Sequence, residues 1–131
     1  MPMLEVSGLT VRYGPLEAVR QLSFEVQEGQ VVALIGSNGA GKSTTLKAVM
    51  GLVPASAGAV RFLGKDLLQE SAAGRVGLGL SLSPEGRRLF GRMTVFDNLL
   101  VGAHSISNRE VIGQSLKDVY ALFPRVFERR A

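Results

Sequence analysis

Apolar and polar positions alternate along the first part of the chain and then stop alternating. Leu4, Val6, Leu9 and Val11 are apolar with an interruption at Ser7-Gly8, while Leu22, Phe24 and Val26 alternate strictly with Ser23, Glu25 and Gln27. Both stretches predict half-buried strands, the first carrying a bulge. After the Glu28-Gly29 turn, Val31-Val32-Ala33-Leu34-Ile35 is apolar without a break, the pattern of a central strand covered on both faces. Lys42 to Met50 reads as a helix with Leu46 and Val49 on one face, stopped by Gly51 and Pro54. Gly58 to Leu63 predicts a further short strand, turned by Gly64-Lys65-Asp66. Ser71 to Val76 predicts a short helix, Leu78 to Leu82 a strand, and the residues through Arg92 a polar loop. Thr94 followed by Asp97 resembles a capping box and opens a helix through Ala103. Ser107 with Glu110 opens another, whose Ile112, Leu116, Val119, Tyr120 and Phe123 form one apolar stripe that Pro124 ends.

Length and composition narrow the class. A chain of 131 residues makes one domain at most, and 46% hydrophobic against 20% charged residues favours a packed core over disorder. The net charge of +4 is spread evenly, with +2 on each side of a division after Lys65, so no basic lobe stands out. Two Tyr, six Phe and no Trp offer few platforms for stacking bases, which argues against nucleic-acid binding. The absence of Cys removes disulfides and thiolate metal sites and suits a reducing cytosol. Val31–Ile35, the longest apolar run, is too short to cross a bilayer, and the N-terminus has no signal-peptide pattern.

The specific motif is Gly36-Ser37-Asn38-Gly39-Ala40-Gly41-Lys42-Ser43-Thr44, which fits G-x-x-x-x-G-K-[ST]. This composition would produce a match by chance about once in 150 such chains. Its context also fits, because an apolar strand precedes it and a helix follows. Successive backbone N–H groups there form a concave nest for phosphates, and the helix N-terminus adds the positive end of its dipole. Lys42 would supply an ammonium to the β- and γ-phosphates, and the Ser43 hydroxyl would ligate Mg²⁺. The bland alternative is a glycine-rich turn that binds nothing.

With these residues the chain resembles the ATP-binding subunit of an ABC transporter, over essentially all of its length. The stretch GLTVRYGPLEAVRQLSFEVQEGQVVALIG is similar to that family's N-terminal β-subdomain, and GSNGAGKSTTLKAVMGL to its phosphate loop and helix. The resemblance implies an α/β fold of the P-loop NTPase class, an ABC-type ATPase core with an antiparallel β-subdomain. It also implies ATP and Mg²⁺ as ligands. It divides the chain into residues 1–35 for the β-subdomain and loop strand, 36–50 for the phosphate loop and helix, 83–92 for a coupling loop, and 94–131 for the start of a helical subdomain. Tyr13, in Val11-Arg12-Tyr13-Gly14, matches the aromatic residue that stacks on adenine; otherwise it is a Tyr closing a strand.

The stretch SPEGRRLFGRMTVFDNLLVGAH, Ser83 to His104, carries the finer resemblance. Most family members place a Gln where Glu85 stands, touching Mg²⁺ and the attacking water and coupling to the membrane subunit. A carboxylate also offers oxygen to Mg²⁺, so Glu85 is a candidate catalytic and metal-binding residue beside Lys42 and Ser43. Alternatively Glu85, Arg87 and Arg88 are a solvated charged loop. The Pro-Glu-Gly-Arg-Arg form is similar to one ATPase of branched-chain amino-acid uptake systems. Partners implied are transmembrane permease subunits, through residues 83–104, and a second ATP-binding subunit in a homo- or heterodimer, on the cytoplasmic face of the membrane.

Residues 1–131 contain no LSGGQ-like signature, no acidic strand ending in Asp-Glu and no downstream switch His. His104 is expected at a helix end on the surface. The chain is therefore expected to be the first part of such an ATPase, ending within the helical subdomain and without turnover on its own. Two alternatives remain at this stage, a nucleotide-binding module without turnover and a different P-loop enzyme such as a small-molecule kinase. The β-rich sequence ahead of the loop argues against the kinase.

Overall fold

A computed structural model describes the whole chain apart from Asn38 and Ala40. It divides into two compact units, Met1–Leu82 and Ser83–Ala131, each taken by itself below.

In the first unit, β1 (Leu4–Tyr13) and β2 (Leu16–Val26) form an antiparallel hairpin in which Leu4 faces Val26 and Tyr13 faces Leu16. The hairpin loop is Gly14-Pro15, with Gly14 at φ 61°. The pairing of β1 shifts register between Val6 and Leu9, where Ser7-Gly8 predicted a bulge. Strict alternation would send Val6 and Leu9 to opposite faces; the inserted residue returns both to the same one, and both are buried, as is Val11. On the other side of β1 lies β3 (Ala57–Phe62), followed at the edge by the two-residue β4 (Lys65–Asp66), giving the order β2-β1-β3-β4. Lys65 and Asp66 were expected in a turn. They pair instead with Phe62 and Arg61, and the turn falls on Leu63-Gly64.

Helix α1 (Lys42–Val49) buries Thr45, Ala48 and Val49. The last two join Val6, Leu9, Val11, Val19, Val60, Phe62 and Leu67 in the core. Leu46 was expected on the buried face and is exposed. Thr45 is buried instead; its hydroxyl donates to the Gly41 carbonyl at 2.7 Å, so its burial leaves no polar group unpaired. The short helix α2 (Ala72–Gly77) is capped by Ser71, whose hydroxyl accepts the Gly74 N–H at 3.0 Å.

Neither Val31–Ile35 nor Leu78–Leu82 forms a strand. Val31 and Ile35 are 95% and 94% exposed. An apolar run becomes a strand only inside a ladder, and among the described residues no segment pairs with either one.

In the second unit, α3 (Val95–Gly102) starts at Thr94, whose side chain accepts the Asp97 N–H at 3.0 Å, as its sequence predicts. The next helix, α4 (Arg109–Leu122), starts at Asn108 rather than Ser107. The Asn108 side-chain Oδ1 accepts the Glu110 N–H at 2.9 Å, and Asn is as good a cap as Ser. Pro124 ends α4 and also opens α5 (Pro124–Glu128), the first-turn position that proline tolerates. Tyr120 of α4 meets Phe127 of α5 edge to face at 5.1 Å, and the Arg130 guanidinium covers the Phe127 ring.

Candidate nucleotide-binding site

The loop between the hairpin and α1 is held by short-range geometry that follows from its glycines. Gly41, the residue capping α1, sits at φ 90°. A Cβ there would lie 2.4 Å from the Ala18 carbonyl oxygen of β2. Only glycine allows both that backbone conformation and that approach. The Lys42 ammonium donates to the Gly36 carbonyl, bridging the two ends of the loop. Asn38 and Ala40, expected among the phosphate-binding residues, lie outside the described residues. Gly36, Ser37 and Gly39 are exposed.

The start of α1 suits an anion. It has no acidic residue in its first turn and no side-chain cap, whereas α2, α3 and α4 are capped by Ser71, Thr94 and Asn108. The positive end of the helix dipole is therefore not offset by a local carboxylate. Ser43 is exposed in that first turn. Among the described residues no three His, Cys, Asp or Glu gather into a metal cage. That is compatible with Mg²⁺, which is commonly held by few protein groups, by substrate phosphates and by water.

Tyr13 closes β1 beside this helix. Its hydroxyl lies 3.4 Å from Thr44 Oγ1, and the residue is 46% exposed. One turn of the hairpin away, Glu17 accepts from Arg12 Nη2 and Arg20 Nε, each at 2.6 Å. The Arg20 hydrogen bond, aided by the charges of both arginines, holds the Glu17 carboxyl below its ordinary pKa against the opposing effect of desolvation. Tyr13, Lys42, Ser43 and Thr44 thus belong to one unit and one end of one helix.

Glu85 belongs to the second unit, in the Glu85-Gly86 turn, with its carbonyl accepting from Arg88 Nε at 3.3 Å. The following loop is organised by a residue to which the sequence analysis assigns no structural role. Asn98 of α3 accepts the Phe90 N–H at 2.9 Å, and its amide donates to the carbonyls of Phe90 and Thr94 at 3.1 and 2.9 Å. Leu89 and Phe90 project into solvent from this clamped loop. His104 is exposed just after α3, its Nδ1 3.1 Å from the Val101 carbonyl oxygen. The other unforeseen residue is Arg75, a buried guanidinium at the far end of α1.

A glycine-rich segment ahead of an uncapped helix, with Lys at the helix start and an aromatic ring beside it, is the arrangement that a P-loop motif requires. Comparison with known proteins gives the family. The ABC transporter family model matches residues 19–128, and the chain belongs to that family. The high-affinity branched-chain amino acid transport ATP-binding protein BraG of Pseudomonas aeruginosa is 36% identical over 127 residues, covering 97% of this chain and 54% of the relative. BraF of the same organism is 37% identical over 116 residues, covering 88% of this chain and 46% of that protein. A solved ATP-binding subunit of an ABC transporter superposes with a TM-score of 0.85 at 30% identity, over 98% of this chain and 52% of that one. A nucleotide-free ATP-binding cassette gives a TM-score of 0.82 at 24% identity, covering 100% of this chain and 58% of that one, a likeness of fold. The chain spans about half the length of the curated relatives it matches. Membership in this family decides against a small-molecule kinase. Among the described residues, no helix is long and apolar enough to cross a membrane.

Proposed function

We propose that this chain carries the ATP-binding part of an importer subunit that couples ATP hydrolysis to uptake of branched-chain or related amino acids. The observation that carries the reading is the contact of Tyr13 with Thr44 at the end of α1 where Gly41, Lys42 and Ser43 stand. In this reading the loop amides and Lys42 hold the β- and γ-phosphates, Tyr13 stacks on adenine, and Ser43 and Glu85 offer oxygen to Mg²⁺. The metal, when bound, neutralises charge that develops on the phosphate oxygens. The names of the relatives and the Pro84-Glu85-Gly86-Arg87-Arg88 loop support the substrate class. The exposed Leu89 and Phe90, the latter bonded to Asn98, support residues 83–104 as the surface for a permease on the cytoplasmic side, with a second ATP-binding subunit completing the pair. In this reading the Gly36–Thr44 motif binds ATP, and hydrolysis is the work of a subunit that also carries an LSGGQ-like signature and an Asp-Glu pair.

The transport reading is tested by placing Lys42→Ala in the subunit in its native cell and measuring uptake of labelled leucine, isoleucine and valine. Uptake of all three should fall while that of an unrelated amino acid is unchanged; equal uptake before and after substitution overturns the assignment. Tyr13→Ala should weaken ATP by roughly 1–3 kcal/mol, the worth of one base–aromatic stack, and leave inorganic triphosphate unaffected. Equal losses for both ligands would place the damage in the fold. In a working subunit, Glu85→Gln should keep at least part of the ATPase activity and Glu85→Ala should lose Mg²⁺-dependent turnover, because amide and carboxylate each present an oxygen and a methyl group does not. Normal hydrolysis by the alanine variant would make Glu85 a surface charge.

A further inference from the structure

Arg75 is 4% exposed, and nothing in nucleotide binding as described above uses it. It projects from α2 to the C-terminal end of α1, where Nη1 donates to the Ala48 and Val49 carbonyls at 2.9 and 2.8 Å. Its Nε donates to the Glu70 carbonyl at 3.2 Å. The end of α1 is also closed by its own backbone, with the Gly51 N–H on Ala48 O at 3.1 Å and the Leu52 N–H on Lys47 O at 2.8 Å. Gly51, at φ 77°, lies so close that a Cβ would stand 3.0 Å from both Cζ and Nε of Arg75. The guanidinium is thus packed against the turn that ends the helix.

A buried charge is costly unless its surroundings compensate. Here the compensation is directional. The acceptors are the last carbonyls of α1, the negative end of its dipole, and the Glu70 carboxylate nearby is bound to Lys65 at 2.7 Å. Burial pulls the Arg75 pKa down, and Glu70 and Asp66 oppose it. An apolar side chain would fill the same space without the desolvation cost. What a forked donor adds is a fixed position for the helix end. Helix α1 has 8 residues, about 12 Å at 1.5 Å per residue, so its two ends move together. Its other end carries Gly41, Lys42 and Ser43. The Arg75 carbonyl also accepts the Leu78 and Leu80 N–H groups at 3.1 and 3.2 Å, tying the chain that follows α2 to the same point.

We propose that Arg75 is a positioning residue for the phosphate loop: by gripping the C-terminal carbonyls of α1, it sets where Gly41, Lys42 and Ser43 meet a bound triphosphate. The inference rests on the nucleotide-binding reading. The test uses the 131-residue chain with Arg75→Met, which keeps much of the stem and loses the donors, and Arg75→Lys, which keeps a charge with a different geometry. Each is titrated with Mg²⁺-ATP and with inorganic triphosphate at a temperature where circular dichroism shows it folded. Arg75→Met should raise Kd about tenfold for both ligands, since the adenine contact is untouched, and Arg75→Lys about threefold. Amide exchange at Lys42–Thr45 should quicken in the Met variant without ligand. A folded Met variant that binds both ligands like the parent overturns the proposal and leaves Arg75 a stability residue. So does a loss confined to ATP. If Arg75→Met does not fold, the Lys variant decides: intermediate affinity supports the proposal and parental affinity overturns it. A parent chain that binds neither ligand overturns this proposal and the nucleotide reading together, whereas parental binding with an unaffected Met variant overturns Arg75 alone.

Discussion

Lys42→Ala brings Mg²⁺-ATP binding by the chain below detection. The ammonium stands at the start of α1 and reaches back to the Gly36 carbonyl at the head of the motif. Hydrogen bonds to a charged group contribute roughly 1.5–3 kcal/mol each. Losing one to each of two phosphates therefore costs at least about a hundredfold in affinity. Calorimetric titration reads the loss directly, and inorganic triphosphate should lose as much as ATP because the deleted contact is to phosphate alone. The melting temperature should change little, since Lys42 contributes no side chain to the core. A variant that titrates like its parent would show that the loop is not the site.

Gly41→Ala has the largest expected effect on stability. The new methyl would lie 2.4 Å from the Ala18 carbonyl oxygen and 3.2 Å from Val19 Cγ2, at a residue with φ 90°. The left-handed conformation costs an ordinary residue about 1–2 kcal/mol, and overpacking adds roughly 1–3 kcal/mol. The sum is a large share of the 5–15 kcal/mol typical of a domain. Gly39→Ala is the control. Gly39 has φ 87° and, among the described residues, nothing within 4 Å of the added Cβ, so it should lose only the conformational part. Urea midpoints for the two variants separate the terms, and equal losses would mean that the approach of β2 to the loop contributes nothing.

The parts of this fold that local sequence specifies were legible in it. The interruption at Ser7-Gly8 announced the register shift of β1, and Thr94 with Asp97 announced the start of α3. The Gly36–Thr44 motif could be picked out because phosphate-binding chemistry needs fixed residue types at fixed spacing. Features that depend on distant partners were not. The apolar run Val31–Ile35 recorded a preference for burial, but a ladder needs a second segment. Leu46 was as apolar as Val49, and the burial of Thr45 in its stead was tolerated because the hydroxyl bonds to the Gly41 carbonyl. The Tyr13–Thr44 contact joins residues that no periodicity relates, and only family resemblance singled out Tyr13. No motif or periodicity singles out Arg75; its place between Gly74 and Val76, in a segment with few other charges, was the available signal. Asn98 could have been suspected from its position four residues after the Thr94 cap, close enough to bond back to the loop it follows.

The central claim, that this loop is the nucleotide site, is tested most directly by titrating isotopically labelled chain with Mg²⁺-ATP and following amide and aromatic resonances. The amides of Gly39, Gly41, Lys42 and Ser43 and the ring of Tyr13 should shift together and saturate at one equivalent, and inorganic triphosphate should move the same amides while leaving the Tyr13 ring in place. Shifts confined to other parts of the chain, or none at all with the chain folded, would contradict it.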